Sequence, residues 1–232
     1  MSDFGARLQN VQNKIDEAAR KTGRSLKDIT LVAVTKGVKP ELIHEAREAG
    51  ITLFGENRVQ ESAEKIPVFQ DTDIQWHLIG HLQSNKVKTA ISLFQLIQSV
   101  DTVRLTDKIN QESLAENRVT SILLEVNISG EEQKYGFTTE EIYSAIDLIA
   151  KMPGVRVLGL MGIAAQTTED SVKRETFKKL RSIFSVCKTL KYPNIEMKVL
   201  SMGMSGDYQL AIDCGSNMVR IGSAIFGERN YN

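Results

Sequence analysis

Eight short apolar runs, each followed by an amphipathic or turn-rich stretch, narrow what this chain can fold into more than any other feature. Leu31 to Val34 reads as a buried strand by its length and branching. Pro40 opens a helix in which Leu42, Ile43, Ala46 and Ala49 share a face, and Gly50 ends it. Further strands are expected at Ile51 to Phe54, Ile74 to Ile79, Phe94 to Ile97, Ser121 to Val126, Val155 to Leu160, Met197 to Leu200 and Met218 to Ile221. Helices are expected at Val59 to Lys65, around Asn85 to Ile91, and from about Thr102 to Glu116. Others follow the stripe of Ile142, Ala145, Ile146 and Ile149, the stretch from Val172 to Cys187, and Asp207 to Asp213. Ahead of them all, Leu8, Val11 and Ile15 mark an extra helix over residues 1–23, packed on the body, with Gly23 as its stop.

Strands that alternate with helices form a parallel sheet, and strands apolar on both faces suit a sheet covered on both sides. Eight such units with no break between them argue for closure into a single (β/α)8 TIM-type barrel. An open doubly wound sheet is the structural alternative, but the GxGxxG fingerprint of a dinucleotide fold does not follow the first strand. A chain of 232 residues is long enough for one such barrel, and no linker or low-complexity stretch divides it. One domain over residues 1–232 is the expectation.

Composition removes several classes of function. The 29 basic and 29 acidic residues balance, so no global field favours nucleic acid or an anionic membrane. Cys187 and Cys214 make neither a metal pattern nor a disulfide framework, which fits a reducing cytoplasm. His44, His77 and His81 form no metal constellation in sequence. The N-terminus lacks the apolar segment of a secretory signal, and no run is apolar for long enough to span a bilayer. A soluble cytoplasmic protein is expected.

In such a barrel, chemistry gathers at the C-terminal ends of the strands. The polar residues there are Lys36, Glu56, Asn57, His77, His81, Ser99, Asn127, Ser201, Arg220 and Ser223, with Met161 after the sixth strand. Lys36 ends a wholly apolar strand, in AVTKG. An amine held at a partly dry barrel mouth is a good nucleophile. A lysine snorkelling to solvent fits the same position, and position alone leaves both readings open. In LSMGMSGDYQLAI, Gly203 and Gly206 give backbone access and Ser205 can cap a short helix. Gly222 and Ser223 follow the eighth strand, and loops after strands seven and eight form the usual phosphate site of this fold. Arg220 stands within the apolar run MVRIG, where it meets either a ligand or a carboxylate such as Glu56. His77, by contrast, reads as a satisfied core residue, and Lys134 as a surface lysine.

Together, AVTKG, FGENRVQE, WHLIGHLQSNK, NISGEEQKYGF, GLMGI, LSMGMSGDYQLAI and MVRIGSAIFGER closely resemble the pyridoxal phosphate homeostasis protein family, also described as YggS-like or PROSC-like. The resemblance runs in order over nearly the whole chain. It implies the barrel of the alanine racemase N-terminal domain, a fold-type-III-like carrier of pyridoxal 5′-phosphate (PLP). By that likeness Lys36 is the Schiff-base lysine. The cofactor phosphate is expected against Ser201, Gly203, Met204, Ser205, Gly222 and Ser223, and the pyridine nitrogen against Arg220. Asn57, His77 and Met161 are expected to line the pocket, and Lys134 matches a second family lysine. The glycine after Lys36 and His81 look like tolerated variation.

The resemblance implies a carrier that holds PLP reversibly, takes part in its homeostasis and passes it to PLP-dependent apoenzymes, without turnover. A PLP-dependent amino-acid racemase is the alternative. It needs a second acid/base group, which Tyr135 or Tyr208 would have to supply, and the β-domain that provides it in alanine racemase is expected to be missing after the eighth strand. With that dimerisation domain missing, a monomer is expected. A phosphosugar enzyme on the same barrel would use the phosphate loops but not Lys36, unless the lysine formed a Schiff base with the sugar.

Overall fold

A computed structural model of the chain describes residues 3–69, 72–131 and 133–227. Its eight strands close into an all-parallel barrel in chain order. They are β1 Thr30–Val34, β2 Leu53–Glu56, β3 Gln75–Leu78, β4 Leu96–Val100, β5 Thr120–Val126, β6 Val155–Gly162, β7 Ile195–Ser201 and β8 Met218–Ile221. Closure is made by β1 against β8, with Thr30 opposite Met218 and Ala33 opposite Ile221. The helices are α1 Asp3–Lys21, α2 Pro40–Glu48, α3 Val59–Lys65, α4 Val87–Leu93, α5 Val103–Ala115, α6 Glu141–Ile149, α7 Asp170–Cys187, α8 Tyr208–Asp213 and α9 Ser223–Phe226. This is the (β/α)8 barrel that the alternation of apolar runs demands. None of the described helices is long and apolar enough to cross a membrane. The last two residues of the FGER motif, Glu228 and Arg229, lie outside the described residues.

Helix α1 buries Phe4, Leu8, Val11 and Ile15, one face of a 3.6-residue period. It lies against the last helices of the barrel. Phe4 stacks on Phe226, and the Arg7 Nε donates to the Ile225 carbonyl at 2.8 Å. Arg24, just beyond it, donates to the carbonyls of Ser216 and Ile212 and so satisfies the end of α8.

Several element edges differ from the sequence reading for identifiable reasons. β2 starts at Leu53, not Ile51, because the Ile51 N–H closes the end of α2 on the Ala46 carbonyl, with Gly50 at φ 90° making that turn. β4 runs over Leu96–Val100, not from Phe94, because the Phe94 N–H still bonds to Ala90 of α4. The helix expected around Asn85 begins as a 3₁₀ turn at Ser84–Lys86 before α4.

The outward faces of the strands pack under the helices in one apolar core that includes Ala33, Phe54, Trp76, Leu78, Ile97, Ile122 and Leu124. The inward faces are not uniformly apolar, contrary to the sequence expectation. A small apolar layer of Val32, Leu96, Leu123, Met161 and Met218 fills the barrel. On the same faces His77, Gln98, Glu125, Ser201 and Arg220 are also buried. Strand β6 carries an irregularity that the sequence did not announce. Its pairing shifts between Val157 and Gly159 against both neighbours, so Leu158 and Met161 both face inward. At Gly159, φ is 154° and an added Cβ would lie 1.8 Å from the Val199 carbonyl oxygen, so only glycine fits.

Outside the barrel, Glu56 and Lys65 form a buried pair at 2.6 Å. The same Glu56 oxygen accepts from the Thr35 hydroxyl at 2.7 Å, and Lys65 also donates to the Thr35 carbonyl and to Glu61. Burial pushes the Glu56 carboxyl up, and its other oxygen has no partner among the described residues. Removing one member of such a pair strands the other charge. Lys65→Ala is therefore expected to cost about 3–5 kcal/mol in chemical denaturation, and Glu56→Gln with Lys65→Met to recover most of it. Equal stabilities for the single and double variants would contradict the pairing.

Candidate functional site

Lys36 follows β1 directly, and the turn that carries it is held from outside the barrel. Thr35 is fully buried and tied to Glu56 and Lys65, while the Gly37 N–H donates to Glu61 at 2.9 Å. Gly37 has φ 65°, which sharpens the turn just past the lysine. Fixed on both sides, Lys36 lines a cavity of about 640 Å³ at the C-terminal mouth. Val34, Asn57, Ile79 and Ile163 line it as well. The loops after β7 and β8 bring Met204, Ser205, Gly206, Gly222 and Ser223 to it, and Arg220 of β8 reaches it from the barrel interior.

The loops after β7 and β8 are joined by one hydroxyl. Ser205 Oγ accepts from the backbone N–H groups of Gly222 and Ala224 at 3.2 and 3.4 Å. It therefore satisfies the start of α9. It does not cap α8, as the sequence suggested; the residue before α8 is Asp207, which accepts from the Met204 N–H at 2.6 Å. The N–H groups of Ser205, Gly206 and Ser223 find no acceptor among the described residues and border the cavity. Such a cluster of N–H groups suits an anion. Gly203, at φ 93°, packs its α-carbon against Tyr208 and Ala211, where a side chain would collide.

Arg220 is almost fully buried. Its Nη1 donates to the carbonyl and hydroxyl of Ser201 at 2.9 and 2.7 Å, and its Nη2 to the Gly162 carbonyl at 3.0 Å. The Ser201 hydroxyl donates to Gln98 Oε1 at 2.7 Å, and the Gln98 amide lies 2.9 Å from His77 Nδ1. Burial pushes the Arg220 guanidinium down to about 10, so it remains a cation at neutral pH. Glu56 is not its partner: that carboxylate faces outward and belongs to Lys65. The acids acting on Arg220 are Glu125 and Asp207. Burial pushes the Glu125 carboxyl up to about 7 and the His77 imidazole down to about 4.

Of the residues singled out in the sequence, Lys36, Asn57, Met204, Ser205, Arg220, Gly222 and Ser223 meet at the cavity. His77, Met161, Ser201 and Gly203 do not line it; the first three form the buried layer beneath. The remaining candidates stand elsewhere. His44 lies against Phe69 outside the barrel. His81 pairs with Asp101 at 3.1 Å and stacks on the exposed ring of Tyr135. Tyr208 is buried within α8. Ser99 donates to the Gly80 carbonyl, and Asn127 organises its own loop through Glu131, Gly130 and Lys134. Lys134 is not a free surface lysine: it donates to the Ala164 carbonyl at 3.0 Å and pairs with Glu131 at 2.8 Å, linking the loops after β5 and β6.

Gln98 and Glu125 escaped the sequence reading. Each is a polar residue inside an apolar run, LIQSV and ILLEV, two positions after an inward leucine. That spacing was the available signal.

The family profile described as "Alanine racemase, N-terminal domain" matches residues 7–230. Proteins named pyridoxal phosphate homeostasis protein match over their full length. That of Aquifex aeolicus is 39% identical over 225 residues, covering 97% of this chain and 98% of its own. The Escherichia coli K12 protein is 40% identical over 235 residues, covering 100% and 99%. Among solved structures, PipY of Synechococcus elongatus without PLP superposes with a TM-score of 0.87 at 29% identity, covering 97% of this chain and all of that one. The PipY structure with PLP bound gives 0.84 at 28% identity, with the same coverage. Alanine racemase of Clostridium difficile shares the fold, with a TM-score of 0.73 at 15% identity; all of this chain covers 57% of that one.

The buried imidazole gives a prediction independent of any ligand. His77 titrates at about 4 in the folded chain, against 6.5 ordinarily, so folding favours its neutral form. Its stabilising contribution is complete above about 6.5 and is lost as pH falls towards 4, by at most about 3 kcal/mol. Native chain minus His77→Gln, followed by urea denaturation across that range, should show this difference. A difference that does not change with pH would contradict it.

Proposed function

Because the chain belongs to the pyridoxal phosphate homeostasis protein family, we propose that it binds pyridoxal 5′-phosphate covalently on Lys36 as a reversible carrier, without turnover. The observation that carries this reading is the meeting, in one cavity, of a strand-end amine, a buried guanidinium and a set of unengaged backbone N–H groups. That donor set fits a phosphorylated pyridine aldehyde group by group. When bound, the cofactor supplies an aldehyde that a lysine amine holds reversibly.

The chain's own residues divide the work. Ser205, Gly206, Gly222 and Ser223 border the place for the phosphate, with Ser205 keeping the two loops in register. Lys36 presents its amine from a turn that Thr35, Glu61 and Lys65 hold rigid. Arg220, on the cavity floor, would hold the ring nitrogen. It is charged at neutral pH and donates its protons without giving them up, so a nitrogen held there would stay unprotonated. An unprotonated ring is a poor electron sink, which supports storage over carbanion chemistry. Met161, Ser201, Gly203 and His77 act from behind, and Asn57 from the wall.

Neither tyrosine considered as a second acid/base group favours a racemase. Tyr208 is buried, and Tyr135 is engaged with His81 at the rim. Exchange of the cofactor with PLP-dependent apoenzymes, action as a monomer and residence in the cytoplasm complete the reading.

Purified chain given PLP should show the visible absorbance of a lysine-bound cofactor, and borohydride should fix the adduct on the peptide containing Lys36. Lys36→Ala should lose both while keeping its far-ultraviolet dichroism, since the side chain lines a cavity and not the core. Turnover of alanine or serine should not exceed that of free PLP. An adduct on another lysine, or clear racemisation, would overturn the assignment.

A further inference from the structure

Strand β5 carries an acid into the barrel. Glu125 follows Leu123 by two residues and so shares its inward face, and Leu123 packs with Val32, Met161 and Met218 in the barrel interior. Glu125 is 8% exposed. Its carboxyl makes no hydrogen bond or ion pair with any described residue. A carboxylate buried in that way is costly.

The charges that act on it come from two directions. Arg220 reaches in from β8, and Asp101 stands at the end of β4, where it pairs with His81. β6 sets Met161 opposite Glu125 in register, a residue with nothing to titrate. His77 of β3 is neutral at physiological pH and engaged by Gln98. The segment after β5 returns only through its backbone, with the Phe137 N–H on the Glu125 carbonyl. Arg220, meanwhile, satisfies itself on neutral acceptors, the Ser201 carbonyl and hydroxyl and the Gly162 carbonyl. The cavity floor therefore holds a cation with no direct counter-ion, and the barrel interior holds an acid with no direct partner whose charge acts on it.

We propose that Glu125 sets the charge of this floor and thereby the retention of an anionic cofactor. Protonated, it leaves the positive charge of Arg220 uncompensated beneath the ligand. Ionised, it cancels that charge and loosens the hold. Burial and the Asp101 charge push this carboxyl up to about 7 against the pull of Arg220, so the change falls in the neutral range. Retention then falls as pH rises through about 7. The proposal rests on PLP binding at this cavity and adds a regulation of that binding. Glu125 acts on the ligand through Arg220, as a positioning residue.

Two measurements test it. In the cofactor-free chain, carbon-13 NMR of labelled glutamate, assigned with Glu125→Gln, should show a carboxyl with a midpoint near 7 that moves upward in Arg220→Gln. With PLP added, dissociation constants from the visible band should be compared for native chain and Glu125→Gln from about pH 5.5 to 8.5. Titration of the cofactor's own phosphate is common to both and cancels. The ratio of native to variant constants should be near one at the acid end and rise on the order of tenfold at the alkaline end. A ratio that stays flat overturns the proposal while leaving PLP binding in place. So does a carboxyl that titrates near 4.5 and ignores Arg220→Gln, and this arm needs no bound PLP and no folded Glu125→Gln at high pH. A native chain that binds no PLP at any pH overturns the carrier reading and this proposal together.

Discussion

Everything at the mouth of this barrel is arranged around a guanidinium that stays charged at neutral pH and is almost fully buried. Arg220 is carried into the interior by strand parity, on the face it shares with Met218. A buried cation needs acceptors at hydrogen-bond distance or the fold does not hold. Ser201 of β7 and Gly162 of β6 supply them. Their register is fixed in turn by the pairing of Met161 with Ser201 and by the shift at Gly159 that precedes it. The polar layer of Ser201, Gln98 and His77 extends the same requirement across the barrel, each group satisfying the next.

Opposite this floor, Lys36 is positioned by a separate device. Its neighbours Thr35 and Gly37 are gripped by Glu56, Glu61 and Lys65 in the layer between strand and helix. The cluster is built outside the barrel and acts on the residue at its rim. Floor and amine are thus set by different parts of the fold, and the loops joined by Ser205 close the third side. On the proposed reading, three separately built anchors would hold the ring, aldehyde and phosphate of the cofactor.

The barrel was legible because burial on both faces leaves long apolar runs at regular intervals, and the helices between them keep a 3.6-residue stripe. β8 and α3 were found at their full extent for that reason. Edges were lost where a helix end captured the first strand residue, as at Ile51 and Phe94, because hydrogen-bond closure leaves no mark on hydropathy. The bulge in β6 was invisible for the same reason, since Gly159 reads as an ordinary glycine. Within the site, Lys36, Gly222 and Ser223 could be placed by their position at strand ends. Ser205 was seen as a cap but assigned to the wrong helix. Glu56, one of the two partners open to Arg220 in sequence, lies near in strand order but on the opposite face, where it pairs with Lys65. Gln98 and Glu125 were overlooked as interruptions in apolar runs, although their parity with Leu96 and Leu123 points them inward.

The most direct measurement is a crystal structure of the chain grown with pyridoxal 5′-phosphate. The account predicts density continuous with the Lys36 Nζ, the ring nitrogen within hydrogen-bond distance of the Arg220 guanidinium, and the phosphate against the backbone of Ser205, Gly222 and Ser223. A cofactor attached to another lysine, or a ring turned so that its nitrogen points away from Arg220, would contradict it.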